Sequence, residues 1–509
     1  MNAIVVGSGL GGLGAAITLA AAGVQVLVVD AAPGPGGKAG TLRIDAGVVH
    51  GGDQPGRQGP GEGVEVDSGP SVLTLPDAFD AVLAPAGVRL QDLVTLRRPD
   101  PAFRYIYDDG LVLDLRPELE DSVAAVAMAL GPTAAGELRA YLDHTRRIWE
   151  ISAPSFVYGP PPSFAGMMAL GPLALGMVRR IDPLRSLWQS ICALVKEPHL
   201  RLLLARFATY NGSDPRRAPA TLGCIAHVEL GLGGFGVEGG VGALIAALVA
   251  LANSLGVAFA YGEPIHGLVL DPRGAVRGVR RPGAAPLMAD VVICNNDAAQ
   301  VATWLPAGAV PRALTPKPTP STSGWTGILR AARPAAPRVA HQVLFPPDYL
   351  AEFEDLFDRH RAPRSPSVYV CAQEACHGRS GWPDAEPLFV MTTAPATSRA
   401  APDADDGLGE RALDRLRAAR LIGADDTLVW SRRPADLAAQ FPGSAGSLYG
   451  AASNDRAAAF QRPPNRLARL PGLYLASGSA HPGGGMPLCF LSGRSAGRAA
   501  LEDHGRGRQ

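Results

Sequence analysis

The sequence has no apolar run long enough to span a bilayer. Its best candidate, Phe164 to Val178, is interrupted by Gly166, Gly171, Pro172 and Gly176 and falls short of the ~20 apolar residues a spanning helix needs. Excess charge of one sign is also missing. The 47 basic and 47 acidic residues cancel, which removes any global electrostatic argument for nucleic acid or an acidic partner. No Cys-x-x-Cys pair occurs among the six cysteines, Cys192, Cys224, Cys294, Cys371, Cys376 and Cys489. The Cys371/Cys376 spacing lacks companion ligands despite nearby His377, so reduced, buried thiols are expected and no metal. No secretory signal is read either, because Met1 runs straight into a strand with no basic region before it. Charged residues are scarce, 18% against 47% hydrophobic, which suits large cores or an apolar ligand. The 61 glycines and 46 prolines are scattered without period and imply many loops, not a low-complexity chain. A chain of 509 residues holds two or three units with cores of their own.

What is present begins at the first residues. Ala3-Ile4-Val5-Val6 reads as a buried parallel strand, and Gly7-Ser8-Gly9-Leu10-Gly11-Gly12 follows it directly. Leu13 to Ala22 is a helix rich in Ala, Leu and Ile, Gly23 ends it, and Val24 to Val29 makes a second strand with Asp30 at its tip. This is the βαβ context that gives a Gly-x-Gly-x-x-Gly motif its meaning as a dinucleotide cradle. Gly7 permits the tight turn, Gly9 lets the backbone approach a pyrophosphate, and Gly12 lets the helix pack on the strands. The helix N-terminus offers N–H groups to the phosphates, and Asp30 accepts from the ribose hydroxyls.

The same fingerprint serves FAD and NAD. Pro33-Gly34-Pro35-Gly36-Gly37-Lys38-Ala39 then favours FAD, as a glycine pair with a basic residue soon after the ribose acid. Val64 to Asp67 reads as a strand leading into Ser68-Gly69-Pro70-Ser71, and Val48 to Gly63 reads as a surface loop inserted in a hairpin. A second glycine-rich segment, His481-Pro482-Gly483-Gly484-Gly485-Met486-Pro487, lies at the other end of the sequence. It reads as a backbone loop that returns to the same cofactor.

Five segments together, Gly36 to Ala39, Asp67 to Leu73, Gly239 to Leu244, Ala289 to Asp297 and His481 to Pro487, give the chain a resemblance over nearly its whole length. It resembles the phytoene-desaturase-type carotenoid oxidoreductases, relatives of the amine oxidases. The resemblance implies an α/β fold: a discontinuous Rossmann-type FAD-binding domain (1–80, 225–300 and 465–509), a mixed-sheet substrate domain (81–135 and 301–464) and a helical substrate-entry and membrane-contact region (136–224). It also implies that Gly37, Lys38, Gly69 and Pro70 touch FAD. Ile265 would lie against the adenine, Ser477 and Gly478 by the pyrophosphate and ribityl chain, and Gly485, Met486 and Pro487 by the isoalloxazine. Phe207 to Pro215, Ala218 to Leu222, His227-Val228-Glu229 and Phe441 to Gly450 look like the subgroup that introduces a double bond at carbons 3 and 4 of acyclic 1-hydroxycarotenoids. The stretch after Gly231 departs from the family pattern, which usually has a Trp or Phe shortly before a Pro-Gly-Gly.

The implied chemistry removes two hydrogens from neighbouring carbons of a polyene, a task that calls for positioning and exclusion of water and few polar side chains. Asp143, Arg146 and His227 are the catalytic candidates. Asp143 and Arg146 share a face of a helix over Glu137 to Trp149, as either a matching acid and arginine near the flavin or a plain surface ion pair. His227 and Glu229 would point to opposite faces of a strand, and His481 is expected to shape its loop. Substrate and setting follow: a hydrophobic carotenoid, a peripheral contact with the inner membrane from the cytoplasm, and oxygen or a quinone as electron acceptor. The alternatives are a phytoene desaturase or carotenoid isomerase-like flavoprotein, a non-catalytic FAD- or carotenoid-binding protein, and a soluble amine oxidase.

Overall fold

Strand β1 (Asn2–Val6), helix α1 (Leu10–Ala20) and strand β2 (Gln25–Asp30) form the opening βαβ unit of the computed structural model. The structure describes residues 1–44, 50–51, 63–161, 180–306, 308–314, 319–396, 407–455 and 462–506. Every residue of α1 is buried. Such a helix has no polar face to present, which is why its sequence is Gly, Ala and Leu almost throughout. Its partner is the final helix, Met486–Arg506. Small residues let the two backbones approach: a Cβ at Gly14 would lie 2.6 Å from the Phe490 carbonyl, and one at Gly493 would strike that of Gly11.

The first sheet is wholly parallel, in the order Ala258–Tyr261, β2, β1, Val291–Cys294, Leu473–Leu475. Its strands thus come from the beginning, the middle and the end of the chain. The apolar runs of β1, Val291–Cys294 and Leu473–Leu475 are buried on both faces, as parallel strands require, while the edge strand Ala258–Tyr261 stays partly open. The carboxyl ends of β1 and Val291–Cys294 lead into Gly7–Gly9 and Asn295–Asp297, side by side at one edge of the sheet. Ligands of open α/β sheets bind at such edges.

A second, eight-stranded sheet runs His50–Gly51, Thr427–Arg432, Ser323–Ala332, Ala385–Ala394, Val368–Ala372, His341–Leu344, Phe103–Ile106, Val112–Leu115. Its two longest strands, Ser323–Ala332 and Ala385–Ala394, pair along their whole length. Helices Pro132–Ser152, Leu187–Leu194 and Pro198–Ala205 cover its edge. There Leu138, Tyr141, Ile191 and Leu203 share one buried cluster with Phe103, Tyr105 and Leu113 of the strands.

Tyr105, Leu113, Val368 and Phe389 stand within this sheet. Helix Pro198–Ala205 is followed by a 3-10 turn, Arg206–Asn211. One expectation is corrected: His227 and Glu229 lie in a helical turn, His227–Leu232, not in a strand. The Phe164–Val178 run lies outside the described residues, as does the 48–63 insertion apart from His50–Gly51 and Gly63. Among the described residues no helix is long and apolar enough to cross a membrane.

Candidate functional site

The loop after β1 is built by close backbone contact. A Cβ at Gly12 would strike the Gly7 carbonyl oxygen, and one at Gly9 would lie 2.6 Å from Asn295 Oδ1. Gly9 precedes α1 in extended conformation, no side chain caps that helix, and its first turn carries no acid. The first-turn N–H groups therefore have no acceptor within the helix and face outward as an anion cradle. Asp30 closes one side. Its Oδ2 accepts from Ser8 N at 2.6 Å and from Ser8 Oγ at 2.5 Å. Gly36 N–H donates to Ser8 O at 3.1 Å, which brings Gly37 to 3.4 Å from Gly9 when measured from a Cβ built on it. Gly69 packs so near Lys38 O that no Cβ fits between them. The predicted Gly7, Gly9, Gly12, Asp30, Gly37, Lys38 and Gly69 are thus gathered around one cradle.

Two half-buried cations stand nearby, Lys38 in the loop after the cradle and Arg462 against the last glycine loop. Lys38 Nζ donates to Ser447 O at 2.8 Å and sits over the Phe441 ring. Burial pushes its pKa down, against the pull of Asp297, whose carboxyl burial pushes up. Arg462 donates to the carbonyls of Tyr449, Gly478 and Ala451 and to Asn211 Oδ1, at 3.2 to 3.4 Å. Among the described residues neither cation has a carboxylate within ion-pair distance. Half-buried cations satisfied only by carbonyl and amide oxygens suit an anionic ligand, so the residues present fit a dinucleotide diphosphate.

Beyond the cradle lies a cavity of about 510 Å³. Val72, Leu75, Trp149, Phe156, Ile181 and Ile225 are among its apolar walls, and Pro70 and Gly484 to Leu488 line it as well. Predicted Pro70, Gly485, Met486 and Pro487 therefore share this wall. Predicted Ser477 and Gly478 stand just behind it: Gly478 packs on Gly484 and Cys489, and Ser477 Oγ is 2.9 Å from Ser479 Oγ. Predicted Ile265 packs against the cluster under the parallel sheet, just beyond the strand that pairs with β2. His481 also lines the cavity. Its Nε2 meets Gly159 O at 3.1 Å, and burial holds its pKa below the usual histidine value, so the ring is neutral and Nε2–H donates.

A buried ion pair stands at the cavity wall. Arg206 donates to Glu229 Oε1 at 2.8 Å and to Tyr105 Oη at 2.9 Å, while Tyr210 bonds the second Glu229 oxygen. The rings of Phe103, Tyr105, Phe207 and Tyr210 surround the guanidinium, 5.1 to 5.3 Å from it. A buried pair so completed is sustainable, whereas either half alone is not. Ser71 Oγ and Thr392 Oγ1, on cavity-lining residues, are buried and make no hydrogen bond.

The three predicted catalytic residues are not brought to this cavity. The buried face of Pro132–Ser152 is Leu138, Tyr141, Leu142, Thr145 and Ile148, which leaves Asp143 and Arg146 on the opposite face. Both side chains are about half exposed. Arg146 pairs with Asp143 at 3.6 Å and with Glu150 at 2.9 Å, so the surface ion pair is the arrangement found. His227 is buried, with its pKa lowered by burial, and its ring packs against Gly231 of its own turn.

Sequence reasoning missed other members of the site. Asn295 places Oδ1 3.1 Å from Gly9 N and donates Nδ2 to Ala476 O. Tyr261 sits in register with Asp30 and has a buried hydroxyl with no hydrogen bond, as does the Asn296 carbonyl oxygen. The signal for Asn295 was its position, immediately after a buried strand parallel to β1.

Residues 10–501 match the family model described as flavin-containing amine oxidoreductase. The chain is 34% identical to a hydroxyneurosporene desaturase of Rubrivivax gelatinosus, covering 97% of this chain and 92% of the relative. It is 33% identical to a hydroxyneurosporene desaturase of Cereibacter sphaeroides, covering 98% and 97%. It is 29% identical to a zeta-carotene-forming phytoene desaturase of Myxococcus xanthus, covering 96% and 92%. Two solved structures share the fold: an oxidoreductase from Methanosarcina mazei (TM-score 0.61, 16% identity, 99% and 100% covered) and a cyclohexylamine oxidase from Brevibacterium oxydans (TM-score 0.58, 14% identity, 99% of each covered).

Proposed function

The chain belongs to the flavin-containing amine oxidoreductase family, an enzyme family whose cofactor here is FAD, and from that premise we propose that it is an FAD-dependent carotenoid desaturase. In this reading it introduces a double bond between carbons 3 and 4 of an acyclic 1-hydroxycarotenoid. The observation that carries the reading is the predominantly apolar cavity that Gly484 to Leu488 help to line. Apolar walls suit a polyene segment, and a wall that holds Arg206 and Arg462 and, among the described residues, no carboxylate does not suit a charged amine. The full-length likeness to hydroxyneurosporene desaturases supports the same choice.

In the mechanism, the first-turn N–H groups of α1, with Lys38 and Arg462, hold the diphosphate, and Asp30 holds the adenosine ribose. FAD supplies a hydride acceptor. The chain does the rest. Trp149, Phe156, Ile181 and Ile225 exclude water and align the chain of carbons. The hydroxyl-bearing residues of the cavity wall, among them Thr209, Tyr210 and Tyr449, are the candidates to receive the substrate hydroxyl. No carboxylate lines the cavity among the described residues. The proton from the neighbouring carbon therefore passes to water or to His481 Nδ1, the ring nitrogen left unprotonated by the bond to Gly159 O.

The enzyme meets its substrate at a membrane surface in this reading. Ile181 and Pro183 line the cavity, and beside them Leu184 is 71% exposed. An apolar side chain offered to solvent beside a cavity wall suits lipid contact. Oxygen or a quinone takes the electrons. The test is anaerobic: purified protein with FAD and liposomes, given 1-hydroxyneurosporene or phytoene, with flavin and polyene spectra followed together. Flavin bleaching with a red-shifted polyene from the hydroxylated substrate alone is expected. Bleaching by phytoene alone assigns the enzyme to the other desaturation step, and no bleaching by either sinks the desaturase reading.

A further inference from the structure

His341 and Cys371 are partners in the antiparallel register between His341–Leu344 and Val368–Ala372, so their side chains leave the same face of the sheet. The short helix Gln373–His377 then folds back and brings Cys376 onto that face. Cys376 Sγ lies 3.4 Å from His341 Nε2, and all three ligand atoms lie within 4.8 Å of one another. The three residues are 2%, 0% and 0% exposed. The expectation that Cys371 and Cys376 lack companion ligands is thus overturned by a histidine thirty residues upstream that sheet register delivers.

We propose that His341 Nε2, Cys371 Sγ and Cys376 Sγ form a binding site for one divalent d10 cation of the zinc class. Three observations carry it. First, the spacing fits. Bonds of about 2.3 Å to sulfur and about 2.0 Å to nitrogen in a tetrahedral shell put ligand atoms about 3.5 to 3.8 Å apart, against 3.4 Å between His341 Nε2 and Cys376 Sγ and at most 4.8 Å for the other pairs. Second, the imidazole is set up as a ligand. Its Nδ1 lies 2.8 Å from the Tyr369 hydroxyl, and the ring stacks on Phe103 at 4.7 Å. With Nδ1–H donated to Tyr369 Oη, Nε2 turns a lone pair toward the sulfurs, which is the outer-shell pattern of metal-bound histidine. Third, the charges cancel. Two thiolates and a neutral imidazole around a dication leave no net charge in a fully buried place, where an uncompensated charge is excluded.

His377 is not the fourth ligand. Its Nδ1 accepts from Val237 N at 3.2 Å, which puts the proton on Nε2. That N–H is buried without a hydrogen bond and is available to support a thiolate. Among the described residues no other His, Cys, Asp or Glu joins the three. The site is structural: it ties strand to helix behind Tyr369 and Ser71, both of which line the substrate cavity.

The test uses the FAD-loaded full chain, purified without chelator and without a metal-affinity tag. Elemental analysis is expected to find about one zinc per chain. Cys371→Ser and Cys376→Ser should each lose it while keeping FAD, which also reports that the variants fold. Stripped protein given Co²⁺ should show the intense ligand-field bands of a tetrahedral thiolate site in the red, beyond the flavin bands. The proposal is overturned if stripped protein fails to compete with a chromogenic chelator for zinc. It is overturned equally if both serine variants keep the metal, or if anaerobically purified protein carries a Cys371–Cys376 disulfide by mass spectrometry.

Discussion

The carboxamide of Asn295 rests on the peptide N–H of Gly9, with Oδ1 3.1 Å from that nitrogen, and so ties the end of one parallel strand to the cradle at the end of its neighbour. Asn295→Ala leaves the Gly9 donor and the Ala476 acceptor without their partner. An orphaned group of this kind costs about 1–3 kcal/mol. We expect FAD affinity to fall about ten- to a hundredfold, as read by flavin fluorescence titration of the apoprotein. Unchanged affinity would mean that water replaces the amide at no cost.

At Gly9 the backbone is ordinary, and the obstacle is space. Any Cβ there meets Asn295 Oδ1 at 2.6 Å. Gly9→Val is therefore expected to yield protein without flavin. A fully yellow variant would contradict the cradle.

The Arg206–Glu229 pair is buried, with side chains 9% and 1% exposed. Arg206→Met strands the Glu229 carboxylate. Breaking such a pair costs about 3–5 kcal/mol, so the thermal midpoint should drop by several degrees. The double variant Arg206→Met/Glu229→Gln should recover part of the loss, because it removes the stranded charge. No recovery in the double variant would show that the aromatic packing of the guanidinium, and not its charge, supplies the stability.

Asp143 and Arg146 face solvent, and an exposed pair contributes under ~1 kcal/mol. Asp143→Asn is expected to leave the rate of anaerobic flavin reduction within about twofold of the parent. A tenfold slower reduction with FAD retained would return Asp143 to the mechanism.

Glu352 gives the protein a pH signature. Burial raises its carboxyl from the usual 4.5 to about 7, although Thr393 and Ser367 donate to it. The folded state therefore holds a proton that the unfolded chain releases. The stability this confers is present in full below pH 4.5 and is lost as pH rises through 7. A shift of this size corresponds to about 3 kcal/mol. Thermal melts should show the midpoint falling between pH 5 and 8, and Glu352→Gln should flatten the profile.

Local pattern made much of this molecule legible. The βαβ unit, Asp30 and the glycine loop at 483–485 are continuous segments whose periodicity and turn chemistry point one way, and the fold follows them. Three features were hidden, each for a physical reason. The facing of Asp143 depended on which side of its helix meets the neighbouring helices, and the Asp-x-x-Arg spacing is the same on either side. Arg206 and Glu229 find each other through a 3-10 turn and a helical turn, where no repeat announces a side-chain direction. His341 joins Cys371 and Cys376 only because two strands pair in one register, and a single-residue slip would turn its ring to the other face of the sheet.

The parallel sheet carries one more consequence, for the order of events during synthesis. Domains tend to fold as the chain emerges, N-terminal parts first. Here β1 gains one neighbour from residues 25–30, but its other neighbour arrives only with residues 291–294, and the sheet is finished by residues 473–475. The Ala476 carbonyl that Asn295 holds, and the helix that covers α1, come later still. The opening βαβ unit is thus completed only by segments made much later. Until those segments are made, the nascent chain carries an apolar βαβ half-site whose partners do not yet exist, so the cradle cannot close around a flavin before them.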